Sequence, residues 1–450
     1  MNEASVTDLR VERIGRALAL GGLALIAATW RLWTPQNLFP RIPLFEALAR
    51  LPDSTIDTAT WIACAMCCAA LLAVAIAPSR PKLNRLSSVV VSGSFLALVL
   101  LDQHRLQPWC VHIGLGLLLS AFAHRDRRLN YLIWFTASIY VYSALGKFDA
   151  QFLHTVGQDF VRVIFSGIGL EANLLPYRTR FWIATAFPVF ELCVGVGLLF
   201  RWTRGVAAVA AIAMHAMLLW VLGPWGLHHA WGVLLWNGLF IAQNLLMLLP
   251  AALREPKSNS QQHSTTAPRQ PVLGVPAGHT QDVNPIAVSP VVPLRFGLIE
   301  LVLCCWIVLP LGERFGLVDH WLGWALYAPH SSRVHIEISA AAVAGLPPSV
   351  ERYVQCDAED QTLWCDVRVD RWSLATLGAP VTPQQRFQIG VARALTRFVE
   401  EHEIRANALS TADRWTGRRK EHQLRGAAEI NAAGDRYWFN TTPGFNPFTD

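Results

Sequence analysis

The stretch YLIWFTASIYVYSALGKFDAQF, residues 131–152, holds no acidic, basic or histidine side chain from Tyr131 to Gly146 and then sets Lys147 and Asp149 side by side. An apolar run of that length nearly matches the about 20 residues a helix needs to cross a hydrocarbon core roughly 30 Å thick. If it crosses, Lys147 sits where the helix leaves the lipid. A lysine there either snorkels to water or belongs to a site at the membrane surface.

The rest of the chain supports the membrane reading. Of its 450 residues, 53% are hydrophobic and only 16% charged, with 18 Trp, a balance outside that of an ordinary soluble domain. Runs resembling the first recur at Ile14–Trp33, Thr58–Ala77, Leu86–Leu101, Trp109–Ala123, Leu129–Leu145, Phe181–Phe200, Val206–Leu222, Trp231–Leu249 and Leu294–Leu309. The expected fold is an all-α polytopic membrane helix bundle of about nine transmembrane helices. The first run lacks a small-residue cleavage site behind it and reads as a retained anchor.

Arginine and lysine near the ends of short loops tend to stay cytoplasmic. Placing the N-terminus inside collects Arg10, Arg13, Arg16, Arg80, Lys82, Arg85, Arg125, Arg127, Arg128, Arg201 and Arg204 on the inner face. The expected location is a cell (inner) membrane, with the N-terminus cytoplasmic and the C-terminus outside. The net charge of +6 follows from this loop bias, and no interleaving of aromatic and basic residues points to a nucleic-acid partner.

The domain plan is a bundle over residues 1–250, a Ser-, Pro- and Gln-rich linker over 251–292, a last helix within 293–310 and a small α+β extramembrane domain over 325–450. Strand-like alternation marks RVHIEIS, RYVQC and LWCDVRV, and Phe387, Val391, Leu395 and Phe398 recur at helical spacing. Cys356 and Cys365 flank a segment of hairpin length between two predicted strands, so they either pair in an oxidising compartment or remain reduced thiols. Cys64, Cys67 and Cys68 share a helix face, but no histidine or carboxylate completes a metal set, and packing is their expected role.

Ionisable groups inside apolar runs carry more information, because each costs on the order of 3 kcal/mol at mid-bilayer and tends to face the bundle interior. Glu191, His215 and Glu300 are such groups. A structural hydrogen-bonded pair of Glu191 and His215 competes with proton transfer or ligand anchoring. On the expected outer face lie Asp102, His104 and Arg105 in LLDQHRLQPWC; Trp225, His228, His229 and Asn237 in GPWGLHHAWGVLLWN; and Lys147 with Asp149. Their convergence is the argument for a site, with Lys147, Glu191 and His215 as candidate catalytic groups and the other eight as candidate substrate-binding groups.

YVYSALGKFDAQFL and TAFPVFELCVGVGLLFRWTRGVAAVAAIAMHAMLL together resemble the core of DoxX/MauE-type redox-associated membrane proteins. They are also similar to the horizontally transferred transmembrane domain related to vitamin K-dependent γ-carboxylase. The resemblance covers residues 80–250. Its carboxylase-like form implies that Lys147 is the base that deprotonates a hydroquinone cofactor, with His215 near it; no counterpart of that enzyme's glutamate-binding portion is visible. Its DoxX/MauE form implies an accessory role in electron transfer or disulfide handling beside a redox or exported protein partner. The expectation is a quinone- or thiol-linked role at an outer-facing site, in which Lys147 acts as base or anion anchor, His215 as its proton partner and Glu191 as the orienting group. The alternative is a non-catalytic scaffold that presents an exported partner-binding domain.

Overall fold

The computed structural model describes residues 3–77, 79–248, 297–356 and 363–444. The chain is mostly helical, and each predicted apolar run overlaps a helix among the described residues: α1 (Glu3–Ala28), α2 (Asp53–Ile76), α3 (Pro81–Leu101), α4 (Pro108–Phe122), α5 (Arg128–Lys147), α6 (Tyr177–Leu199), α7 (Arg204–Leu222), α8 (Trp231–Leu248) and α9 (Leu298–Val308). Five of them, α2, α3, α6, α7 and α8, are long and apolar enough to cross a membrane. The 11 residues of α9 rise about 16 Å, and α4 is also short at 15 residues. The predicted linker lies outside the described residues.

These helices are apolar on both sides, which is how a helix between protein and lipid reads. Trp61, Leu96, Trp182 and Val206 point outward and exposed, while Ile14, Leu18, Leu25, Cys67 and Leu71 are fully buried. Helix α1 is the central post, packed against α2, α4, α5 and α8, and α5 lies along α6. Gly195 permits the last contact: a methyl group there would stand 2.9 Å from Val141 Cγ2 and 3.0 Å from the Val141 amide nitrogen. Close crossings of membrane helices use small residues in this way.

Beyond α9 the chain builds the small domain. Strands β1 (Arg333–Ser339), β2 (Val354–Gln355), β3 (Trp364–Val367), β4 (Ile404–Leu409) and β5 (Glu421–Arg425) form one antiparallel sheet in the order β2-β3-β1-β4-β5. The alternation in RVHIEIS buries Val334, Ile336 and Ile338, against which lies α11 (Gln385–Leu395), the helix that follows α10 (Val369–Leu377). Helix α11 ends at Leu395, before Phe398, where Thr396 Oγ1 turns back onto the Arg393 carbonyl at 2.8 Å. Helix α12 (Gly426–Gly434) closes the layer. In the β2–β3 register Gln355 faces Asp366, so the next position brings Cys356 opposite Cys365, and the two are joined as a disulfide.

The domain sits on the end of the bundle where α5 finishes. Gln151 Nε2 donates to the Gly417 carbonyl at 2.8 Å, Ala150 N to the Arg414 carbonyl at 2.8 Å, and Trp372 Nε1 to the Leu38 carbonyl at 2.8 Å.

Candidate functional site

Helix α5 carries Lys147 in its last turn and Ser143 four residues earlier on the same face. Helix α6 brings Glu191 across from it. Lys147 Nζ donates to Glu191 Oε2 at 2.7 Å and to Ser143 Oγ at 2.6 Å. Lys147 is 7% exposed and Glu191 8%, so the ammonium turns into the bundle and does not snorkel. Pro188, inside α6 one turn before Glu191, has no N–H to give the Ala184 carbonyl, a gap in the helix ladder beside the charge.

A second polar chain runs next to this pair. Asn244 Nδ2 donates to Tyr140 Oη at 2.8 Å, which leaves the phenol proton for His215 Nε2 at 2.9 Å. His215 therefore carries its own proton on Nδ1 and gives it to Asn237 Oδ1 at 2.8 Å, while Asn237 Nδ2 is spent on the Val233 carbonyl. Phe240 stacks flat on His215 with centroids 4.7 Å apart and planes 3° from parallel. Both ring nitrogens of His215 are thus engaged, and the direct partner of Lys147 is Glu191.

Lys147, Glu191, His215, Tyr140 and Asn237 share the wall of one cavity of about 810 Å³. Its other walls are largely apolar, with Phe152, Phe160, Phe187, Met214 and Leu218 among them. Volume and lining match a small-molecule site, apolar with a few convergent polar groups. The roof comes from outside the bundle: a strap over residues 321–329 and the α10 side of the small domain, where Asp370 and Arg371 form a charged edge.

The remaining sequence candidates divide. His229 lines the cavity and meets Tyr327 edge-on at 5.6 Å. Asp149 caps the short helix Ala150–His154, accepting from the amides of Gln151 and Phe152 at 2.8 and 3.3 Å; burial pushes its carboxyl above the ordinary value against the field of His330. Asp102, His104 and Arg105 line no part of the cavity. They form a buried joint: Asp102 Oδ1 accepts from the His104 amide, His104 Nε2 faces the Pro380 carbonyl at 3.1 Å and Ser373 Oγ at 3.2 Å, and Arg105 Nε donates to the Leu32 carbonyl at 2.8 Å. Burial lowers the pKa of His104 below the ordinary value, as fits a neutral structural ring. Trp225 and His228 stand exposed in the α7–α8 turn, away from the cavity wall.

Sequence reasoning missed Tyr140 and Tyr327. A tyrosine in an apolar run carries no signal by itself, and Tyr327 reaches the cavity only through the strap. No protein-family model, curated protein or solved structure matches the chain.

Proposed function

We propose that the chain is an about nine-span protein of a cell membrane, N-terminus inside and small domain outside, whose cavity binds a lipophilic ring compound of the quinone class and moves a proton at Lys147. The observation that carries this reading is the buried Lys147–Glu191 pair in the wall of a largely apolar cavity of about 810 Å³. A buried ion pair is weak evidence for stability, since apolar replacements of both partners are often no worse. One facing a ligand-sized cavity has a chemical use.

A quinone in its reduced form would supply redox chemistry and a ring hydroxyl. The residues present fit such a molecule: largely apolar walls for the ring and tail, and a cluster of hydrogen-bonding groups around Lys147. Lys147 Nζ, with Glu191 beside it to take up its proton, can hold an oxygen as an ammonium donor or accept a proton as an amine. His215, fixed by Tyr140 and Asn237, contributes a rigid neutral wall and no proton of its own to Lys147. Strap and small domain roof the cavity, and water displaced from it on ligand binding would strengthen every charge inside. The same arrangement accommodates the DoxX/MauE-like and γ-carboxylase-like resemblances.

The test is binding by the full-length protein in detergent, followed by quenching of tryptophan fluorescence with 2-methyl-1,4-naphthoquinone and its reduced form. Saturable binding that weakens at least tenfold in Lys147→Met, with unchanged elution as a folded particle, is the expected result. Equal quenching in wild type and variant would return the protein to the scaffold reading, in which the exported domain binds a partner.

A further inference from the structure

Away from the Lys147 cavity, three buried side chains converge where α9 gives way to the small domain. Glu313 Oε1 accepts from His320 Nδ1 at 2.7 Å and from His330 Nε2 at 3.0 Å, and the three residues are 7%, 5% and 4% exposed. Their ligand atoms all lie within 4.8 Å of one another, the composition of a metal site. The hydrogen bonds argue otherwise. The Ser332 amide donates to His320 Nε2 at 3.2 Å, so that nitrogen is an acceptor and the ring proton sits on Nδ1, pointed at the carboxylate. An ion bound through Nδ1 would force a proton onto Nε2 and set N–H against N–H. Glu313 instead receives two N–H bonds. Burial alone would push its carboxyl up, but these bonds and the histidines' field override it and hold the group well below the ordinary carboxylate range.

His320 and His330 are the two ends of the strap that roofs the cavity. Between them Trp321, Ala325, Leu326, Tyr327, Ala328 and Pro329 all line the cavity. Trp324 and Tyr327 both hold φ at 55°, a left-handed backbone that is strained for bulky aromatic residues and persists only where the surroundings impose it. Tyr327 thereby reaches the cavity wall that also holds Asn237, the residue that anchors His215. A single carboxylate thus ties both ends of a strained loop, and the loop delivers a phenol to the cavity's polar region.

We propose that Glu313 is a positioning residue for the cavity: by clasping His320 and His330 it holds the 321–329 strap closed and Tyr327 in place as a hydrogen-bond donor to the bound ring compound. This inference rests on the ligand reading above. The clasp acts through Tyr327 and touches no ligand itself.

The experiment uses full-length protein in detergent and two readouts, hydrogen–deuterium exchange over residues 320–332 and the dissociation constant for 2-methyl-1,4-naphthoquinone. Glu313→Gln keeps the shape but offers a neutral, weaker acceptor; it should speed exchange in that segment at least fivefold and weaken binding about tenfold. Tyr327→Phe should weaken binding by a similar factor with exchange unchanged. Gly323→Ala supplies a second route should Glu313→Gln fail to accumulate, since its methyl would meet Glu313 Cβ at 2.5 Å and dislodge the clasp without altering the carboxylate. Faster exchange with unchanged binding overturns the positioning role, and so does unchanged exchange. One equivalent of a transition metal in the wild-type protein, lost in Glu313→Gln, overturns it in favour of an ion site. Failure of the wild type to bind the naphthoquinone sinks the ligand reading alone, and the exchange readout still decides whether Glu313 holds the strap.

Discussion

Lys147 and Glu191 form the kind of pair whose members depend on each other. Removing one partner of a buried ion pair leaves an uncompensated charge, at a cost of about 3–5 kcal/mol, whereas replacing both by apolar groups of similar volume is often neutral. Lys147→Met should therefore lower the melting temperature of the detergent-solubilised protein strongly, and adding Glu191→Leu should restore most of the loss while ligand binding stays abolished. A double variant no more stable than the single one would mean that the pair is not energetically coupled. At this scale the sequence was legible where a residue was out of place. Glu191 and His215 stood out because polar groups in an apolar run need a reason, Lys147 because it ends such a run and Asn237 as a member of the outer-facing cluster, and all four line the cavity. Asp102, His104 and Arg105 stood out equally and proved to be a joint, because nothing local to DQHR tells that Ser373 and Pro380 will cover it.

At the scale of elements, the site depends on how closely α5 and α6 cross. Gly195 lies one turn beyond Glu191, and its missing side chain is what brings the two helices together. Gly195→Ala should push them apart by a few tenths of an ångström and weaken naphthoquinone binding severalfold; Gly195→Leu should abolish it. Undiminished binding in Gly195→Leu would show that the crossing tolerates a bulkier residue without moving Lys147. In the small domain, the disulfide spans a sequence separation of 9 residues, and chain-entropy arithmetic for so short a loop gives about 2–3 kcal/mol. Mild reduction should lower the melting temperature of wild type and leave a Cys356→Ser/Cys365→Ser variant where it was. The elements themselves were largely readable. Each of the nine hydrophobic runs overlaps a helix among the described residues, five of those helices being long and apolar enough to span a membrane, and alternation located β1, β2 and β3. Strands β4 and β5 escaped because IRANAL alternates weakly with alanine and EHQLR is a polar edge, exposed at all but one position; the helices over 150–167 escaped because an amphipathic turn after a span reads as loop.

For the whole molecule the decisive question is which end faces which compartment, and the fold separates the ends cleanly. At one end Arg204 meets Asn130 at the start of α5; at the other Gln151 meets Gly417 just past its finish. The 20 residues of α5 put about 30 Å between them, the thickness of a hydrocarbon core. Trp202 and Trp415 mark these ends, 93% and 81% exposed, so a cysteine at either position is reachable wherever water is. With Cys64, Cys67, Cys68, Cys110, Cys193, Cys304 and Cys305 replaced, a membrane-impermeant maleimide on intact cells should label Trp415→Cys and spare Trp202→Cys until the membrane is opened. The charge bias of the loops predicts this orientation, because the basic clusters Arg80–Arg85, Arg125–Arg128 and Arg201–Arg204 gather at the Trp202 end. The reversed pattern would turn the molecule over and place Cys356 and Cys365 in the reducing compartment, where a structural disulfide has no support. Labelling of both in intact cells would mean that no bilayer separates the two ends, and the membrane-spanning reading would fall with it.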